Sequence, residues 1–122
     1  MAARRVLLVE DEGLIRLMIA ETLRDEGFDV VEAENGDEVI SLLDRVDSFD
    51  VLFTDLQMPG KLDGIDVAVY ARNRNPAMPV LVVSGVDAKR VMSRLNVLEP
   101  PAVFINKPYS PQEIVETVRR LA

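Results

Sequence analysis

The chain has 122 residues, 48% hydrophobic and 29% charged, with a net charge of −7. That length suits one domain with its own core, and the acidic balance argues against general nucleic-acid or anionic-membrane binding, both of which need a basic footprint. Cysteine and histidine are both absent, which excludes a disulfide framework, zinc held by thiolate or imidazole, Ser-His-Asp and Cys-His catalysis, and a phosphohistidine-carrier role.

The opening "MAARRVLLVEDE" reaches acids after a short apolar run, too short for a signal peptide or for a membrane span of ~20 residues. A cytoplasmic protein is the expectation. The run Val6–Val9 predicts the first strand. Leu14, Ile15, Met18, Ile19 and Leu23 then recur at helical spacing, with Arg16, Glu21, Arg24 and Asp25 opposite and Gly27 as the stop. Residues 29–33, "DVVEA", predict the second strand. Asn35 with Glu38 three residues on approximates a capping box for a second helix, whose stripe is Val39, Leu43 and Val46. Val51–Thr54 and Val80–Val83 are near-continuous apolar runs, as expected of strands buried on both faces.

Between those two runs, residues 60–64 form a long loop ahead of a further helix. Residues 86–101 hold a weak helix (Val91, Met92, Leu95) and a Pro100-Pro101 pair, and this segment is expected to be the most mobile. Val103–Ile105 is the fifth strand, and Ser110, Pro111 and Glu113 start the last helix, with Ile114, Val118 and Leu121 facing inward. Strand–helix alternation of this kind predicts a parallel sheet covered on both faces, in a single domain spanning 1–122.

In such a sheet ligands bind beyond the carboxyl ends of the strands. Glu10, Asp11 and Glu12 follow the first strand, Asp55 ends the third, Ser84 and Gly85 follow the fourth, and Asn106, Lys107 and Pro108 follow the fifth. Clustered acids repel one another, and a hard divalent cation such as Mg²⁺ is the usual remedy. A metal beside an ammonium and a hydroxyl is suited to neutralising a phosphoryl group in flight. Without histidine or cysteine, the remaining nucleophile is a carboxylate, and an aspartate can form an aspartyl-phosphate.

The pieces "VLLVEDE", "DVLFTDLQMPG", "VLVVSG" and "FINKPYSPQEI", in this order and spacing, make the chain resemble the receiver domain of bacterial two-component response regulators over essentially its whole length. The resemblance implies a flavodoxin-like α/β fold, a doubly wound five-stranded parallel sheet of order 2-1-3-4-5 with five helices. It implies Asp55 as phosphoacceptor, Glu10 and Asp11 as metal-binding acids, and Asp55 and the Gln57 backbone carbonyl as further metal ligands. It implies Ser84 and Lys107 as the groups that bond the phosphoryl oxygens, Ser84 and Phe104 as the switch pair, and a cis Lys107–Pro108 bond. The implied cofactor is Mg²⁺, and the implied donor is a histidine kinase or phosphotransfer protein. The output is a changed face of fourth helix, fifth strand and fifth helix, read by a downstream protein, a fused output domain or a phosphorylation-dependent homodimer, without direct nucleic-acid or membrane binding.

The sequence departs from the family's commoner forms at Glu10, where many members have Asp, at Phe104, which lacks a hydroxyl, and in "MPGKLDG", which is one residue longer than usual. Three rival readings are weaker. An Asp-nucleophile phosphatase commonly has a second acid two residues on, where this chain has Gln57. A flavin-binding domain needs a Gly/Ser/Thr-rich loop after the first strand. A degenerate receiver serving only as an interaction module would lack some of the key positions, all of which are filled here. The expected protein is therefore a switch rather than an enzyme acting on outside substrates.

Overall fold

The computed structural model describes residues 3–45, 48–85 and 88–122, with only the backbone of 88–90. Val46, named in the sequence reading, and Val86, the start of its 86–101 segment, lie outside the described residues. Strands β1 (Arg5–Val9), β2 (Asp29–Ala33), β3 (Val51–Asp55), β4 (Val80–Ser84) and β5 (Val103–Asn106) alternate with helices α1 (Gly13–Asp25), α2 (Gly36–Arg45), α3 (Gly64–Arg74), α4 (Ala88–Leu95) and α5 (Pro111–Leu121). All strand pairs are parallel, in the order β2-β1-β3-β4-β5. This is the doubly wound, flavodoxin-like fold expected.

The pleat divides each central strand between two cores. Leu7, Val9, Leu52, Val80 and Val82 meet α2, α3 and α4 through Val39, Leu43, Ala68, Ala71, Val91 and Leu95. Val6, Leu8, Val51, Phe53, Leu81 and Val83 meet α1 and α5 through Ile19, Leu23, Ile114 and Val118. Burial of each such side chain is worth about 1.5–3 kcal/mol, so the three central strands form the rigid base from which the loops at their carboxyl ends project.

The helix ends follow local chemistry. Gly27, at φ +94°, donates to the Arg24 carbonyl while Phe28 donates to Leu23, closing α1 with a Schellman motif. Ser110 accepts from the Glu113 amide at 3.1 Å, as expected for α5. At α2, Asn35 accepts from the Glu38 amide, but the Glu38 carboxylate reaches back to the Glu34 amide rather than to that of Asn35.

The α1 stripe differs from expectation. Ile19, Ala20 and Leu23 are buried, whereas Leu14 is 86% exposed and Met18 47% exposed.

The segment after α4 is tied down at two points: Leu98 is buried, and the buried Arg72 guanidinium donates to the carbonyls of Met78 and Pro100. The Lys107–Pro108 bond is cis, as the resemblance implied, and so is Glu99–Pro100.

Candidate functional site

The strand order reverses beside β1 and β3, and the carboxyl ends of these two strands hold the acids. Thr54 and Asp55 are both buried at the end of β3, with Thr54 Oγ1 donating to the Asp55 carbonyl at 2.8 Å. Glu10 follows β1 directly. Its amide donates to Ala33 at 3.0 Å, extending the β1–β2 ladder by one residue, and its side chain is only 1% exposed.

Glu10 Oε1 accepts from the Glu12 amide at 3.2 Å, while Oε2 is buried without a hydrogen-bond partner. A buried carboxylate oxygen with no partner is costly. Ligand oxygens of Glu10, Asp11 and Asp55 all lie within 4.8 Å of one another. A hard divalent cation fits that donor set: it would satisfy Glu10 Oε2 and relieve the repulsion at once.

Asp55 also meets a cation from the residue that follows β5. Lys107 Nζ donates to Asp55 Oδ2 at 2.8 Å, and the Lys107 amide donates to the Ser84 carbonyl at the same distance. Burial works against the Lys107 charge, but the hydrogen bond and charge of Asp55, with Glu10 and Tyr109 beyond, hold its pKa above the ordinary value. Asp55 Oδ1 accepts from the Gln57 amide at 3.2 Å. Ser84 is buried and stands opposite Asn106 in the β4–β5 register. Phe104, opposite Val82, is half-buried against the core on the α2–α4 side. Thus Glu10, Asp11, Asp55 and Lys107 converge, Gln57 touches Asp55 through its amide, and Ser84 and Phe104 lie on the adjoining β4–β5 edge.

Burial pushes Glu10 up from 4.5 to about 7, with the Asp55 charge adding to it and the Glu12 amide and Lys107 opposing it. The pH dependence follows from that direction. Between 4.5 and about 7 the folded chain holds a proton on Glu10 that the unfolded chain has released, so this contribution to stability is complete below the window and is lost as pH rises through it. In Mg²⁺-free buffer, urea midpoints of wild type are therefore expected to fall relative to Glu10→Gln across this window. Parallel pH profiles would contradict the assignment.

Three nearby features were not anticipated. Arg16, read as part of the outward polar face of α1, donates to the Glu10 carbonyl at 2.8 Å. Tyr109, to which the sequence reading assigns no role, is half-buried against the α1–α5 core, and its hydroxyl pKa is raised by burial and by the Glu10 charge. Arg94 of α4, also without an assigned role in the sequence reading, pairs at 2.6 Å with Asp63, the N-cap of α3. Burial alone would raise the Asp63 carboxyl. The amides of Asp66 and Ile65 and the Arg94 guanidinium outweigh it, leaving the pKa below its usual value. Only the cap had a sequence signal, an acid three residues before Asp66.

The doubly wound parallel sheet thus gathers an acid cluster and a lysine at its switch point. The model of the response regulator receiver domain family matches residues 6–119, and the chain belongs to that family. Among curated proteins it is 34% identical over 116 residues to the transcriptional regulatory protein PdtaR of Mycobacterium tuberculosis, covering 94% of this chain and 55% of PdtaR. It is 35% identical over 119 residues to the transcriptional regulatory protein ResD of Bacillus subtilis, covering 96% of this chain and 47% of ResD. The chain thus spans about half the length of these relatives. A crystal structure of a response regulator receiver protein from Sinorhizobium medicae superimposes with a TM-score of 0.88 at 30% identity, covering 98% of this chain and 94% of the other. Among the described residues, no helix is long and apolar enough to cross a membrane.

Proposed function

We propose that the chain is a phosphorylation-operated switch in which Asp55 takes a phosphoryl group from the phosphohistidine of a histidine kinase or phosphotransfer protein. The observation that carries this reading is the placement of Asp55 between Lys107 Nζ, 2.8 Å away, and an acid pair whose buried Glu10 Oε2 lacks a partner. An Asp55 oxygen forms the bond to phosphorus as the phosphorus–nitrogen bond of the donor breaks, and its electron pair returns to the imidazole. Lys107 is placed to offset charge on the phosphoryl oxygens, and the Ser84 hydroxyl adds a hydrogen bond from the β4 side. The carboxylates of Glu10, Asp11 and Asp55 and the Gln57 carbonyl would hold Mg²⁺, which supplies further charge neutralisation when bound.

Recruitment of Ser84 moves the loop after β4, and Phe104 follows into the space released, altering the α4–β5–α5 face. Carrying such a switch from ~1% to ~99% active needs about 5.5 kcal/mol of differential interaction. Charge-assisted hydrogen bonds worth about 1.5–3 kcal/mol each, from Ser84 and Lys107, supply most of that. The receiver of this signal is a downstream protein, a fused output domain or a second copy of the chain, in the cytoplasm. The chain catalyses its own phosphorylation and dephosphorylation and turns over no outside substrate.

The test is an amide NMR comparison with and without acetyl phosphate in the presence of Mg²⁺. Shifts extending from the site through Ser84 and Phe104 into α4 and α5 are expected. Shifts confined to residues 10–12, 55–57 and 107 would contradict the switch.

A further inference from the structure

We propose that Arg16 is a positioning residue that sets the geometry of the Glu10–Asp11 turn for its cation, an inference that rests on the reading of the site as an Mg²⁺-dependent phosphoacceptor. The carbonyl that Arg16 Nη1 binds, at 2.8 Å, belongs to the peptide joining Glu10 to Asp11. A peptide is planar, so holding that one group restrains ψ of Glu10 and φ of Asp11 together, and with them the directions in which both carboxylates leave the backbone. The amide on the other side of Glu10 is held by the Ala33 carbonyl at 3.0 Å. The residue is therefore clamped from both ends, by β2 and by α1.

Arg16 is itself fixed from behind. Its Nε pairs with Glu32 Oε1 at 3.4 Å, and Arg24 pairs with Glu32 Oε2 at 3.1 Å while donating to the Val30 carbonyl at 2.9 Å. The Arg16 side chain is only 20% exposed, so it is a packed strut between β2 and the acid turn rather than a solvated helix-surface charge. Ligand oxygens of Glu10, Asp11 and Asp55 lie within 4.8 Å of one another, and the strut holds their backbone against the repulsion that arises when all three are charged. A fork-shaped guanidinium can hold a carbonyl and a carboxylate together, which a lysine ammonium does less well.

Charge and positioning make opposite predictions here. If Arg16 acted only as a nearby positive charge, its removal would tighten Mg²⁺ binding; if it positions the turn, removal weakens it. Mg²⁺ titrations of the full chain, followed by amide NMR on wild type, Arg16→Ala and Arg16→Lys, separate the two, with urea melts showing that each variant is folded. Arg16→Ala is expected to bind Mg²⁺ about tenfold more weakly, as for loss of a group that orients a metal ligand. Arg16→Lys should fall between it and wild type, and the Glu12 amide should exchange faster in the metal-free Arg16→Ala protein.

Unchanged or tighter Mg²⁺ binding by folded Arg16→Ala would overturn the proposal, as would a merely lowered urea midpoint with the wild-type Mg²⁺ affinity. Should Arg16→Ala fail to fold, Arg16→Lys decides, because it keeps the charge and loses the fork: weaker Mg²⁺ binding supports the strut, and wild-type affinity overturns it. Failure of wild type to bind Mg²⁺ would overturn the reading of the site itself, and the inference with it.

Discussion

Lys107→Ala is expected to slow Mg²⁺-dependent phosphorylation of Asp55 by acetyl phosphate about a hundredfold or more, the usual loss when one preorganised charge-stabilising donor is removed. The lysine is held for this task by both its ends. Its amide is bonded to the Ser84 carbonyl, and its ammonium lies 2.8 Å from Asp55 Oδ2 with its charge reinforced by Asp55 and Glu10. An alanine leaves the incoming phosphoryl oxygens facing Asp55 without that ammonium. The same substitution removes one of the influences that hold Glu10 down, so the Glu10 pKa should rise further in the metal-free protein. Intact-mass time courses check the first effect and pH titration by NMR the second. A rate within a few-fold of wild type would show that Lys107 is only a structural partner of Asp55.

Gly64→Ala is expected to destabilise the fold by about 3 kcal/mol, at the upper end of ordinary overpacking costs. A Cβ at Gly64 would lie 2.3 Å from the Asp55 carbonyl oxygen and 2.9 Å from Leu56 Cα. Both are backbone atoms, so no side-chain rotation gives relief. The Gly64 amide donates to the Leu56 carbonyl at 2.8 Å, which shows how closely the start of α3 is seated on the end of β3. Making room means moving α3 or bending the strand that carries Asp55. Urea denaturation should therefore show a large fall in midpoint, and the fraction that remains folded should phosphorylate more slowly. A loss below about 1 kcal/mol, as for an ordinary surface change, would mean that α3 shifts freely without disturbing Asp55.

Much of this was legible in the sequence because the signals are local. The strands show as apolar runs since both of their faces are buried, and Ser110 and Gly27 announce helix ends through chemistry that needs only the next few residues. The acids and the lysine could be placed because a parallel sheet collects whatever follows its strands at one end. The misses are longer in range. Leu14 and Met18 have the spacing of a buried stripe but are exposed, because which part of a helix face is covered depends on the elements packed over it and not on the helix's own pattern. Arg16 has the same signature as Arg24, a polar residue opposite the apolar stripe, and only the folded turn reveals that one of them meets the Glu10 carbonyl. The closeness of Gly64 to Asp55 arises from the docking of α3 and has no counterpart in the residue pattern.

The most direct test of the central claim is the intact mass of wild type and Asp55→Asn after incubation with acetyl phosphate, with and without Mg²⁺. The account predicts a gain of one phosphoryl group by wild type only when Mg²⁺ is present, and no gain by Asp55→Asn under either condition. Labelling of the Asp55→Asn protein at a single site, or labelling of wild type that is indifferent to Mg²⁺, would contradict it.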